Sequence, residues 1–314
     1  MSEQEVRERR SQRRERRIQS APRARQFEYA VPPYDPLSTA DVQLIHDRAM
    51  EILRDYGIAF YDDEAREILA AHGARVDGDI VYLDEATIME YVSKAPTHFT
   101  QQARNPANNV VLGGKHAVFA PVYGPPFVTD LDRGRREATL EDFRNFVKLT
   151  YMNPYLHHSG GTVVEPNDEP VPTRHLDMLY SHIRYSDKPF MGSVTDPVNA
   201  ADSVVMAEIL FGQESMRETP ALLSLINVSS PRRYDDRMLG CMKVYARAGQ
   251  AMIITPFLMA GAMSPASMAG TMALQNAEAL AGITLLQMIT PGLPVIYGSF
   301  MTNLDLQSGA TVFG

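Results

Sequence analysis

The residues able to do chemistry stand in or just past the short apolar runs of the chain: Tyr123, His157, Asn227, Phe257, Ser264, Tyr297 and Phe300. Four of the seven are aromatic, a side chain that fills the core of a sheet or offers its face to a cation. His157 and His158 are neighbours on an extended run, so their side chains point to opposite faces and at most one can enter a given site. Ser264-Pro265 reads as a helix start, where Ser caps the first turn or the free N–H groups receive an anion such as a carboxylate. Metal chemistry has little to work with: there is one cysteine, Cys241, and no His pair at helical spacing. Neither GxGxxG, a P-loop nor GxSxG occurs, and Gly292 and Gly298 read as turn and packing positions.

What must position these residues is a parallel sheet. Met252 to Leu258 is an apolar run, Ala266 to Ile289 lacks a helix breaker apart from Gly270 and Gly282, Pro291-Gly292 stops the helix, and Pro294 to Phe300 is the next buried strand. Earlier runs of the same kind are Ala117 to Tyr123, Tyr155 to Val164, Lys188 to Val194 and Ala221 to Val228. Their interval of about 30 to 40 residues is the size of one strand and helix unit of an eight-fold barrel, and reactive groups of such barrels sit on the loops after the strands. The helices between them are expected to open at Thr139-Leu140-Glu141-Asp142, to span Asp196-Pro197 to Phe211, and to span Asp235 to Ala248.

The chain has 314 residues, 45% of them hydrophobic, enough to bury one large core. A net charge of −8 excludes a general nucleic-acid binder, and no apolar stretch is long enough to span a membrane. A lone cysteine fits a reducing cytoplasm and is expected to be buried and inert. Residues 1–36 read as a solvated basic tail, dense in arginine from Arg7 to Arg25, followed by the stiff linker Pro32-Pro33-Tyr34-Asp35-Pro36. Residues 37–102 read as a small helical N-terminal subdomain: a helix capped by Ser38 with Asp41 and ended by Gly57, a helix over Asp63 to His72, a strand pair around Asp77-Gly78, and a helix over Glu85 to Lys94. Residues 103–314 then form the barrel.

The phrases GAMSPASMAGTMALQNAEALAGITLLQMITPGLPVIYGS and DLQSG resemble the core of the trimethylamine methyltransferase family, and LSTADVQLIHDRAMEILRDYGIAFYDDEAREILAAHGARVDG, YVSKAPTHFTQQARNP and VTDLDRGRREATLEDFRNFVKL resemble its start. The resemblance runs from about Leu37 onward. It implies a TIM-type (β/α)8 barrel, of which this chain carries six strands, with the last two units and the family's pyrrolysine position expected beyond Gly314. It also implies transfer of a methyl group from a small methylated amine, trimethylamine or a quaternary amine such as glycine betaine, to the Co(I) of a corrinoid (cobalamin) carried by a partner protein. No cofactor would then be bound directly. A quaternary ammonium is best held by aromatic faces, and Tyr123, Phe257, Tyr297 and Phe300 could furnish the cage. A homo-oligomer in the cytoplasm is expected, and an unclosed barrel would leave Pro294 to Phe300 as a sticky edge with Met301 to Gly314 poorly ordered. The alternative is a catalytically silent fragment that binds a corrinoid protein; a barrel methyltransferase acting on a pterin is a third reading, opposed by the lack of an Asn/Asp-rich pocket.

Overall fold

A computed structural model describes residues 26–312; the basic tail Arg7–Arg25 lies outside the described residues. After β1 (Phe27–Glu28), helix α1 (Thr39–Glu51) starts at the expected capping box of Ser38 and Asp41 and widens into a π-helical turn, Ile52–Tyr56. Gly57 ends it at φ +63, where a Cβ would meet Val81 O at 2.6 Å. The segment continues through β2 (Ile58–Phe60), α2 (Asp63–Ala71), the hairpin β3 (Arg75–Asp77) and β4 (Ile80–Tyr82), and α3 (Glu85–Val92). The helices and the hairpin are the expected ones, and β2 is an addition to them. Their apolar side chains, Leu53, Phe60, Leu69 and Ile88 among them, nevertheless belong to the same core as Leu222, Met252 and Leu286 of the parallel sheet and its helices. The segment 37–102 therefore has no core separate from the rest.

β5 (His98–Gln101), β6 (Val110–Gly113), β7 (His116–Ala117) and β1 form an antiparallel sheet in the order β1-β7-β6-β5. The strand expected over Ala117 to Tyr123 stops at Ala117, and Pro121 within the run cannot donate to a ladder. A hairpin, β8 (Phe127–Asp130) and β9 (Gly134–Glu137), leads to α4 (Leu140–Met152), opened by the capping box of Thr139 and Asp142. Tyr155 to Val164 is not a regular strand. It is threaded between neighbours by His157 N to Phe119 O at 2.9 Å, Ser159 N to Pro189 O at 2.8 Å and Met191 N to Gly160 O at 2.9 Å, and Gly160 at φ +89 breaks the alternation.

The rest is strand and helix in turn: α5 (Arg174–Tyr185), β10 (Phe190–Met191), α6 (Pro197–Phe211), α7 (Gln213–Glu218), β11 (Leu222–Val228), β12 (Arg233–Tyr234), α8 (Asp236–Arg247), β13 (Ala251–Ala260), α9 (Met268–Ile289), β14 (Val295–Tyr297), β15 (Phe300–Leu304) and β16 (Thr311–Val312). β10, β11 and β13 are parallel neighbours, and both β14 and β15 pair parallel with β13. The result is an α/β curled half-barrel with helices packed on its convex side. The single strand expected over Pro294 to Phe300 is two strands in one register, since Ile254↔Tyr297 and Phe257↔Phe300 keep the same offset. The ladder lapses between them where Pro256 offers no N–H. The outer edge of β15 is met by β16, antiparallel, so the segment after Met301 continues the sheet and turns back on it.

Candidate functional site

Alternation along the parallel strands sorts side chains into two faces. Leu222, Ile226, Val228, Met252 and Ile254 enter the core under the helices. Leu223, Ile253 and Ile296 instead line a cavity of about 450 Å³ on the concave side, closed from below by Phe99 and Leu112 of the antiparallel sheet. On the same concave side, further toward the strand C-termini, stand Asn227 of β11 and Phe257 of β13, with Asn227 paired in register to Thr255, two residues before Phe257. Phe300 of β15 is the register partner of Phe257, and their rings lie 5.0 Å apart at 35°. Phe300 keeps 47% of its surface exposed, Asn227 is exposed and Phe257 is half-buried, so all three are reachable from the concave side.

The other four predicted site residues are distributed differently. Tyr297 pairs with Ile254, hence faces the helices, and its hydroxyl donates to Asn276 Oδ1 on α9 at 3.2 Å. It does not share a face with Phe257 and Phe300, a correction to the grouping of these aromatics in one cage. Ser264 is not a helix cap. Ser267 caps α9, and Ser264 Oγ instead lies 2.8 Å from Thr271 Oγ1 inside the loop after β13. His157 is 2% exposed, accepts the Phe119 N–H on Nδ1 at 2.9 Å and packs against the Phe27 and Phe119 rings, joining β1 to the segment after β7. Tyr123 packs against Gly161, where a Cβ would meet its Cε2 at 2.8 Å. Burial raises the pKa of the Tyr123 hydroxyl against the opposing bond to Thr162.

Several groups outside the predicted site hold this scaffold. His158 lines the 450 Å³ cavity, accepts the Gly160 N–H at 2.9 Å and lies 3.2 Å from Gln101 Oε1. His182 lies 2.7 Å from Ser159 Oγ and 2.8 Å from Gly161 O. Burial lowers their pKa values to about 3 and about 4, so both rings are neutral. A second cavity of about 430 Å³ opens between the N-terminal turns of α5 and α6, where Arg174 bonds Glu165 at 2.7 Å and His175 meets Asp202 at 2.9 Å. Glu278 is fully buried on α9, accepting from Ser230 Oγ at 2.5 Å and Arg232 N at 2.6 Å, and so fixes the loop after β11. Burial raises its pKa to about 7 despite those two bonds. A lone carboxylate inside an otherwise apolar helix was its signal in the sequence.

Among the described residues no three His, Cys, Asp or Glu side chains gather to hold a metal ion, and no helix is long and apolar enough to cross a membrane. The Cys241 thiol is buried and its pKa is pushed up to about 12 by burial, so it is no nucleophile. The concave side of the α/β half-barrel thus carries the ring pair Phe257 and Phe300 and the exposed Asn227 toward the strand C-termini.

Residues 4–314 match the trimethylamine methyltransferase (MTTB) family, and the chain belongs to it. It is 50% identical over 285 residues to a glycine betaine methyltransferase of Desulfitobacterium hafniense strain Y51, covering 90% of this chain and 60% of that protein. A trimethylamine methyltransferase of D. hafniense strain DSM 10664 / DCB-2 is 27% identical, covering 86% of this chain and 55% of the relative. The chain thus spans less than two thirds of the length of these relatives. The fold is similar to that of the monomethylamine methyltransferase of Methanosarcina barkeri, at TM-score 0.50 and 12% identity, covering 85% of this chain and 60% of that one.

Proposed function

We propose that this chain carries the amine-binding half of a methyltransferase that moves a methyl group from a quaternary amine, of the glycine betaine kind, to the cobalt of a corrinoid protein. The observation that carries the reading is the Phe257 and Phe300 pair, with rings 5.0 Å apart on the concave side at the strand C-termini. A quaternary ammonium has no proton to donate, so hydrogen-bond acceptors gain nothing from it, whereas each aromatic face gains about 0.5–2 kcal/mol. Asn227, exposed beside them, offers an amide N–H to the carboxylate of a betaine. The 50% identity to a glycine betaine methyltransferase supports the same class of substrate.

Cobalt(I), brought by the partner's corrinoid, supplies the nucleophile for the methyl carbon, and the electron pair of the broken C–N bond stays on nitrogen, leaving a neutral tertiary amine. The chain's own part is to hold the cation, turn one methyl toward the mouth and exclude water. The positive charge of the amine disappears during the step. The aromatic faces therefore favour the bound substrate and release the product, and rate must come from orientation rather than from the cage. Calorimetric titration of glycine betaine into the wild type and the Phe257→Leu and Phe300→Leu variants tests the reading; unchanged affinity in both removes the cage.

A further inference from the structure

We propose that the second cavity, of about 430 Å³ between the N-terminal turns of α5 and α6, binds a small zwitterion that carries a protonated amine N–H and a carboxylate. Ser193 and Thr195 of the loop after β10 line it, so it lies at the end of the sheet where the strands finish. Neither Phe257, Phe300 nor Asn227 lines it, and β11 stands between β10 and the two strands that carry the ring pair. Its volume falls in the range of about 300–1,000 Å³ usual for small-molecule sites. The acceptor comes from His175, which lines the cavity and is 4% exposed. Its Nε2 donates to Asp202 Oδ2 at 2.9 Å, and an ionised carboxylate only accepts, so the ring proton sits on Nε2 and Nδ1 keeps a lone pair. That Nδ1 is buried and has no hydrogen-bond partner among the described residues. A buried acceptor left bare is costly, and the group that completes it is a donor. Glu165 takes Arg174 Nη1 on Oε1 at 2.7 Å, which leaves Oε2 for a second donor.

Arg174 supplies the opposite character. Its Nη1 and Nη2 are taken by Glu165 and by Glu169 O, the latter at 2.9 Å, while the buried Nε–H has no partner among the described residues. Beside it the Thr173 side chain makes no cap bond to the 12-residue α5, and a first turn without that cap favours an anion. Acceptor and donor thus come from two consecutive residues, one for an N–H and one for a carboxylate. Met178 and Val198 add apolar walls that suit methyl groups. A quaternary ammonium has no N–H to give to His175 Nδ1 and is refused on that ground, whereas the amine left after one methyl is lost takes up a proton and gains one. N,N-dimethylglycine has this chemistry. Its choice as ligand rests on the betaine reading above, while the cavity's preference for an N–H and a carboxylate rests on the unpartnered groups of Arg174 and His175.

Calorimetric titration of N,N-dimethylglycine into the 314-residue chain should show binding, with the same affinity when glycine betaine is present in excess. His175→Leu should weaken N,N-dimethylglycine at least about tenfold and leave the affinity for glycine betaine and the circular dichroism unchanged. Glu165→Gln, at a side chain 30% exposed, keeps the shape of the site and should weaken N,N-dimethylglycine in the same direction, so it carries the test where His175→Leu does not fold. No binding of N,N-dimethylglycine, its displacement by glycine betaine, an affinity indifferent to both substitutions, or an equal loss of both ligands in His175→Leu overturns the proposal. Binding of N,N-dimethylglycine that depends on His175, in a chain that does not bind glycine betaine, upholds this site and removes only the betaine reading of the concave side.

Discussion

Two phenylalanines side by side on a sheet can equally be core, and what separates the readings here is exposure at the C-terminal end of the strands. Phe300 is 47% exposed, and its ring neighbour Phe257 is half-buried on the same concave side. Replacing either by Leu keeps the apolar volume and removes the quadrupole. Each variant should weaken glycine betaine by about 1–2 kcal/mol, roughly five- to thirtyfold, with thermal stability little changed, as read by calorimetry and a melting curve. Tyr297→Leu should leave affinity unchanged, because that ring faces α9. The sequence already held the reason: positions 297 and 300 differ by an odd number and cannot share a face of one extended strand. The apolar runs placed Asn227, Phe257 and Phe300 near strand ends, and register puts them on one side of the sheet; Ser264 was read as the cap of α9, but two serines three apart compete for that place and the hydroxyl of the first goes to Thr271.

Glu278 yields a pH dependence at the same scale. Its folded pKa, about 7, stands above the ordinary 4.5, so the folded state holds a proton that the unfolded state has released between these values. Stability from this group is full below about 4.5 and falls as pH rises to about 7. His158 and His182 act in the opposite sense, because their neutral folded forms lose stability as pH falls below 6.5. The difference between wild type and Glu278→Gln isolates the carboxyl: urea denaturation across this range should show the variant gaining on the wild type as pH rises, and parallel curves would contradict it.

At the scale of elements, caps decided what could be read. Helices opening at Ser38, Asp62, Asp84, Thr139, Asp196 and Asp235 each show the cap bond that a short polar side chain provides. The runs Ala117 to Tyr123 and Tyr155 to Val164 were apolar enough for strands, yet Pro121 in the first removes a donor and Gly160 in the second breaks the alternation a ladder needs. A buried cation replaces regular pairing near the second run. Lys188 is 1% exposed and donates from Nζ to Thr150 O, Asn153 O and Leu156 O, at 2.9, 3.0 and 2.7 Å, tying the end of α4 to the following segment. Lys188→Met leaves those carbonyls without their donor and should destabilise by about 1–3 kcal/mol or more, measured by urea unfolding. Gly282 lets α9 approach β13 and β12, for a Cβ there would meet the Tyr234 hydroxyl at 2.2 Å, and Gly282→Ala should cost about 1–3 kcal/mol by overpacking.

Across the whole molecule, a single core joins the N-terminal segment to the sheet and its helices, which no local pattern could reveal, since amphipathic stripes state what is buried but not against what. Phe60 of β2 stacks on Tyr234 at 5.1 Å, and Lys243 of α8 bonds Asp62 at 2.7 Å. Phe60→Ala should therefore lower the stability of the entire chain by about 3–5 kcal/mol in one cooperative transition; two separate transitions would show independent units. The concave side, by contrast, was expected from the barrel pattern and is where the functional claim stands. Glycine betaine and 3,3-dimethylbutyrate have the same shape and the same carboxylate and differ only in the charge at the quaternary centre. Paired calorimetric titrations should give measurable affinity for glycine betaine and at least about tenfold weaker binding of 3,3-dimethylbutyrate. Equal affinity for the two, or no binding of glycine betaine, would contradict recognition of a quaternary ammonium by Phe257 and Phe300.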